Sequence, residues 1–161
     1  MAKGEHRMQL VGLDALAFEF FREFSRCEYC LKAVGYRQAT RDAKPDWNAL
    51  ARQLESVFLA PTAPELVAAV TYFLENPPKK QIVEDGALGW EDRLPDYESQ
   101  AELLLLLVSR VRNNLFHGGK FNGRWFEPER SEDLLAHGLA ILAACTENDE
   151  LMNEAYNQKA L

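Results

Sequence analysis

Six apolar residues in succession, Leu103 to Val108, mark the buried middle of a helix, because no amphipathic surface element carries so long an unbroken run. Directly after it come Arg112, Asn113, Asn114 and His117, at the point where that helix must leave the core. Gly118-Gly119 is then expected to stop the helix, since glycine accepts the left-handed conformation at a helix C-terminus. Polar groups near apolar surroundings need partners or solvent, and burying one unpaired costs roughly 2–7 kcal/mol. A cluster of this kind at the end of an apolar helix reads as a site.

The remaining chain is also patterned for helices. Leu13, Ala17, Phe20, Phe24, Cys27, Leu31 and Val34 are alternately four and three residues apart, the stripe of a helix packed along its length. The spacing predicts a first helix over 14–34, ended by Gly35, then a polar connection over 36–45. Asp46 is a credible N-cap for a second helix over 47–59, with Leu50, Leu54, Val57 and Phe58 on its core face. Thr62-Ala63-Pro64-Glu65 has the form of a capping box with a proline in the first turn, opening a third helix that runs to Glu75. The stretch 76–96, with three prolines and two glycines, reads as a long irregular excursion. A fourth helix is expected over 97–117, a loop over 121–128, and a fifth helix from Ser131 or a neighbour. That fifth helix is apolar over much of its circumference, interrupted by His137, so it is central in the fold or half of a subunit interface. A short sixth helix over 147–158 closes the chain. With no β-alternation or repeat recognised, the reading is all-α: an up-and-down bundle of five to six helices in a single domain over 1–161.

Composition bounds what such a bundle does. A net charge of −7 argues against coating nucleic acid non-specifically. Between Arg110 and Arg130, however, five cations (Arg110, Arg112, Lys120, Arg124, Arg130) face two acids (Glu127, Glu129), the local balance that a phosphate-bearing ligand requires. Three cysteines make no disulfide framework, the N-terminus has no apolar signal core, and no run approaches a membrane span, so a cytoplasmic protein is expected. No cofactor or metal set is read.

On an ideal helix of about 100° per residue, Asn113 and His117 share a face, and Arg110 joins it. Arg112 stands about 140° from His117 and converges with it only if the last turn loosens. Such a pair suits phosphoryl transfer on RNA. A neutral His takes the proton of a ribose 2′-OH, and a guanidinium stabilises the charge on the phosphorane oxygens. Asn113 positions the phosphate or fixes the imidazole tautomer, and a second His from a two-fold mate serves as the acid. On the residues alone, Arg112 and His117 equally suit plain capping of a helix C-terminus.

The pattern Arg112-Asn113-x-x-x-His117, at the end of an apolar helix and before Gly-Gly-Lys-Phe, resembles the signature of HEPN domains, an α-helical bundle family whose motif is Arg, four to six residues, then His. The segment Ser25-Arg26-Cys27-Glu28-Tyr29-Cys30-Leu31-Lys32 resembles the first-helix pattern of some members, and Leu134 to Ala144 their apolar helix after the motif. The resemblance implies a homodimer whose two motifs share one cleft. It further implies metal-independent endoribonuclease activity leaving 2′,3′-cyclic phosphate ends, often in toxin–antitoxin or phage-defence roles with an antitoxin or operon partner. Carried over, Arg112 and His117 match the catalytic pair and Asn113 the adjacent polar residue; separately, the polar cluster and its local positive charge make Arg110, Asn114, Lys120 and Arg124 candidate RNA- or nucleotide-binding residues. Members regulated by a nucleotidyltransferase antitoxin carry Tyr two residues after the His, where this chain has Gly119. Other members are non-catalytic nucleotide-binding or protein-interaction modules, the alternative reading here.

The remaining motifs are weaker. Cys27-Glu28-Tyr29-Cys30 lies inside a helix with no second ligand pair, which favours core cysteines over zinc or redox chemistry. Glu28 and Lys32 form an i, i+4 pair, unless Glu28 or Arg26 instead orients Arg112 or His117. His137 reads as a core or interface histidine, Lys79-Lys80 as solvated, and Trp90 and Trp125 as loop residues packed over the bundle.

Overall fold

The computed structural model describes residues 2–117, 120–121, 124–125 and 127–157; the side chains of 2–11, 117, 120, 121, 124, 125 and 128 are not described. The chain is mostly helical, with seven helices and two short antiparallel pairs among the described residues. The helices are α1 (Ala2–Ala33), α2 (Trp47–Gln53), α3 (Glu55–Leu59), α4 (Pro64–Glu75), α5 (Gln100–His117), α6 (Pro128–Glu147) and α7 (Glu150–Tyr156). The strands are β1 (Lys80–Glu84) with β2 (Ala87–Glu91), and β3 (Lys120–Phe121) with β4 (Arg124–Trp125).

Helix α1 carries the predicted stripe but starts at Ala2, a full three turns before the apolar spacing begins. Its first residues are mostly good helix formers, and propensity extends the helix beyond the part that packing requires. The stripe buries Leu13, Phe20, Phe24, Cys27 and Leu31. Gly35, at φ 97°, ends it as expected.

The expected second helix is two, broken at Leu54. The Leu54 N–H is shared between Leu50 O (3.1 Å) and Ala51 O (3.2 Å), and its ψ of 9° leaves the helical region. The core face survives the break, since Leu50, Leu54 and Phe58 are all fully buried. Asp46 caps α2 as predicted, its Oδ1 accepting from Ala49 N at 3.0 Å.

The capping box assigned to Thr62 is not made. Ala63 is the N-cap of α4 with no side-chain bond, and Pro64 at N1 supplies the start by its fixed φ. A reciprocal cap stands instead at α5, where Ser99 Oγ accepts from Glu102 N (3.2 Å) and Glu102 Oε2 accepts from Glu98 N (2.7 Å). That cap starts α5 at Gln100 rather than 97. Proline at N1 starts α6 three residues before Ser131, and Asp149, accepting from Met152 N at 2.9 Å, delays α7 to Glu150.

The irregular excursion contains the largest departure from expectation. β1 and β2 form a hairpin about Asp85-Gly86, both at positive φ (50° and 77°), the two-residue turn whose twist suits a hairpin. Ile82 lies opposite Gly89, and Val83 opposite Leu88 on the solvent side. The expected loop after α5 likewise contains the short β3–β4 pair.

Helix α6 lies at the centre, packed against α1, α4, α5 and α7. It buries Leu135, Gly138, Ile141, Leu142 and Cys145. Gly138 lets α6 approach α1 closely, since a Cβ there would stand 2.7 Å from Phe20 Cε2. The other face of α1, with Phe18, Phe21 and Tyr29, stays exposed. No described helix is long and apolar enough to cross a membrane.

Candidate functional site

The last two turns of α5 carry the polar cluster, and α5 stays α-helical through His117. The loosened turn that would bring Arg112 round to His117 is therefore not there. Along a regular helix the two positions stand about 140° apart. The His117 side chain, the Gly118-Gly119 stop, and the Lys120, Arg124 and Trp125 side chains lie outside the described residues.

Arg112 faces α1. Its Nη2 donates to Glu28 Oε1 at 3.3 Å and its Nη1 to Asn113 Oδ1 at 3.0 Å. The guanidinium carbon lies 5.1 Å from the centroid of the Phe24 ring and 5.9 Å from that of Phe116. Two aromatic walls and two hydrogen-bonded oxygens thus fix a planar cation that still reaches solvent, its side chain 30% exposed. Glu28 meets Arg112 across the two helices rather than Lys32 along α1. Phe116, 60% exposed, packs on Phe21 at 5.2 Å between ring centroids. Exposed Asn113 completes the group. Spacing along α1 puts Phe18, Phe21, Ser25 and Tyr29 in one stripe, so this aromatic surface continues from the arginine along the helix.

Arg26, the other residue considered as an orienting partner, is turned to α7. Its guanidinium lies 4.0 Å over the Tyr156 ring, donates to Tyr156 O at 3.4 Å and pairs with Glu23 at 3.5 Å. The structure brings Glu28, and not Arg26, to Arg112.

Arg110 and Asn114 leave α5 on the hairpin side. Arg110 Nη1 donates to Pro78 O (3.1 Å) and Arg93 O (2.9 Å), and Asn114 Nδ2 donates to Lys79 O (2.8 Å). From α6, Arg130 Nη2 donates to Pro77 O at 2.7 Å. Three side chains thus hold the carbonyls of 77–79, where two prolines offer no N–H for a ladder. Burial lowers the Arg110 pKa, opposed by the charge of Glu91. Of the candidates read in sequence, the structure groups Arg112, Asn113 and Glu28 on one side, with Arg110 and Asn114 on another.

Between the hairpin, the end of α5 and the start of α6 lies a cavity of about 220 Å³. Trp90, Asn114, Leu115, Glu127, Arg130 and Leu134 are among its walls. Sequence reading missed it because its walls come from three distant segments. The Asp85-Gly86 turn, which folds Trp90 back alongside β1, was the available signal.

The other motifs are structural. Cys27, Cys30 and Cys145 are buried free thiols. Burial, with Cys30 and Glu23 nearby, pushes Cys27 up to about 12, and burial raises Cys30 and Cys145 as well. Such thiols are poor nucleophiles and poor metal ligands. His137 stacks on Tyr72 with ring centroids 4.6 Å apart. Among the described residues no group of three or more His, Cys, Asp or Glu is arranged to hold a metal ion. No protein family, curated protein or solved structure matches this chain.

Proposed function

We propose that this chain is a HEPN-like, metal-independent endoribonuclease of toxin or phage-defence type that acts as a homodimer in the cytoplasm. The observation that carries the reading is Arg112. An arginine fixed by Glu28, Asn113 and two aromatic rings, yet open to solvent and five residues before a His, suits the charge that develops on a phosphorane.

In the proposed reaction a ribose 2′-oxygen attacks the adjacent phosphorus while His117 takes its proton. The P–O5′ bond breaks, the His117 of the second copy protonates the leaving 5′-oxygen, and a 2′,3′-cyclic phosphate remains. Arg112 stabilises the equatorial oxygens and Asn113 positions the phosphate. One copy does not bring 112 and 117 to one point on a regular helix, so the site needs a second. The exposed aromatic stripe of Phe18, Phe21, Tyr29 and Phe116 beside Arg112 is the surface proposed to receive it.

The test is cleavage of single-stranded RNA in EDTA by the wild type and by His117→Ala, with the ends identified as cyclic phosphates. Equal cutting by both, or no cutting of any RNA, removes the ribonuclease reading. In sedimentation, the wild type is expected to be a dimer and Phe116→Asp a monomer without activity. A second reading, a non-catalytic HEPN-like module, is favoured by the same Arg112–Glu28 pair, since the carboxylate neutralises the guanidinium. It predicts nucleotide or RNA binding without turnover and unchanged affinity in His117→Ala.

A further inference from the structure

We infer that the cavity between β2, α5 and α6 is a base-binding pocket selecting guanine in the RNA strand, an inference that rests on the RNA reading above. Its size sets the first limit. Drug-sized ligands occupy roughly 300–1,000 Å³, so about 220 Å³ suits one flat ring system with little beyond it. The wall chemistry fits the same shape. Leu115 and Leu134 supply apolar floor, and Trp90, 41% exposed, supplies an aromatic face of the kind on which bases stack.

The polar edge narrows the choice. Glu127 stands at the cavity with its carboxylate 3.8 Å from Arg130 Nε. A carboxylate is acceptor-only and offers two oxygens side by side. Guanine alone among the RNA bases places two donors next to each other on its pairing edge, N1–H and the N2 amino group. Adenine, cytosine and uracil each place an acceptor beside their donor there. Glu127 also holds a left-handed backbone (φ 46°, ψ 68°) at the N-cap of α6, where its carbonyl accepts from Ser131 N at 3.0 Å while its side chain forms no cap bond.

The pocket is built in advance. Arg130 and Asn114 line it and at the same time hold the carbonyls of Pro77 and Lys79, which fixes the hairpin stem against α5 and α6. It adjoins α5 at Asn114 and Leu115, on the hairpin side of the helix rather than the side where Arg112 meets Glu28.

The experiment titrates the full chain with GMP, AMP, CMP and UMP, which share one ribose and phosphate, and follows the indole N–H resonance of Trp90, assigned by Trp90→Phe. A ligand of this size binds in a range on the order of 1 mM. GMP is expected to bind at least about tenfold more tightly than the other three. Glu127→Gln, whose amide offers one acceptor and one donor group, is expected to bring GMP to the level of AMP with an unchanged melting temperature. Ribose 5-phosphate is expected to leave the resonance in place. Equal binding of all four nucleotides, no binding by any at about 10 mM, the same shift with ribose 5-phosphate, or unaltered GMP affinity in Glu127→Gln would each overturn the proposal. Among the described residues, Arg112 and Asn113 are not walls of the pocket, so base selection and cleavage are read from different residues. Guanine selection without RNA cleavage therefore removes the ribonuclease reading alone, and cleavage without guanine selection removes the pocket alone.

Discussion

Replacing Arg112 separates a helix-end cation from a working one. The structure gives the stability term: a cross-helix ion pair at 3.3 Å with both side chains about one-third exposed, worth about 0.5–1 kcal/mol. The contact with the Phe24 ring at 5.1 Å adds about 0.5–1 kcal/mol. Arg112→Ala should therefore cost about 1–2 kcal/mol, lowering Tm by roughly 2–8 °C for a chain of this length. A double cycle with Glu28→Gln should assign about 0.5–1 kcal/mol of that to the pair. Cleavage should fall far further, by about 10²–10³ in kcat, because the stabilising donor is removed from the transition state. Arg112→Lys keeps a charge near Glu28 and recovers part of the stability, but a point charge lacks the planar fork, so most of the rate loss should remain. Both quantities are read on the same preparations, by thermal melting and by single-turnover cleavage below the lowest Tm. If Arg112→Ala loses the predicted stability yet cuts RNA within about threefold of wild type, the arginine is a structural cation.

Gly138→Ala should lower the urea midpoint, because a Cβ 2.7 Å from the fully buried Phe20 ring overpacks by about 1–3 kcal/mol against a helix-propensity gain of about 1 kcal/mol. Gly12→Ala, with nothing within 4 Å of its Cβ, should raise the midpoint, reflecting a stability gain of up to about 1 kcal/mol. None of the three buried thiols should react with a disulfide reagent at about pH 8 in the native protein, and all should react once it is unfolded. Tyr36, pushed up to about 12 by burial and by donating to Asp149 at 2.8 Å, holds its proton longer in the folded than in the unfolded chain. Its contribution is therefore complete below about pH 10 and lost as pH rises to about 12, so Tyr36→Phe should be less stable at neutral pH and should flatten the alkaline fall in denaturation curves.

Helical periodicity was the legible part of the fold. The stripe from Leu13 to Leu31 and the apolar middle of α5 reached the core because burial repeats at the helical period and leaves that period in the residue order. Boundaries set by single hydrogen bonds were legible only where the cap was strong. Asp46 met its expected partner, whereas Thr62 gave way to Pro64, whose ring needs no cap, and the reciprocal bonds of Ser99 and Glu102 were not recognised. The β1–β2 hairpin is obscured in the residue order because three prolines and scattered charges surround the Asp85-Gly86 turn between two short strands. Glycine spacing gave no hint of Gly138, since its reason is a ring from another helix.

The polar end of α5 shows why proximity in sequence overstates a site. Arg110, Arg112, Asn113 and Asn114 lie within five residues, but a turn of about 100° per residue sends them to different neighbours. Arg112 and Asn113 meet on the α1 side with Glu28. Arg110 and Asn114 meet the carbonyls of a proline-rich segment, and Arg130 joins them from α6. That segment creates the demand, because successive prolines leave carbonyls with no neighbouring N–H to serve them and arginine brings five donors. Counting five cations between 110 and 130 therefore overstates the charge available to a phosphate, since Arg110 and Arg130 are already engaged with the backbone. Of the arginines described between 110 and 130, Arg112, paired with Glu28, is the one not engaged with backbone carbonyls, so phosphate binding at the end of α5 should follow that pair and should weaken only modestly with salt.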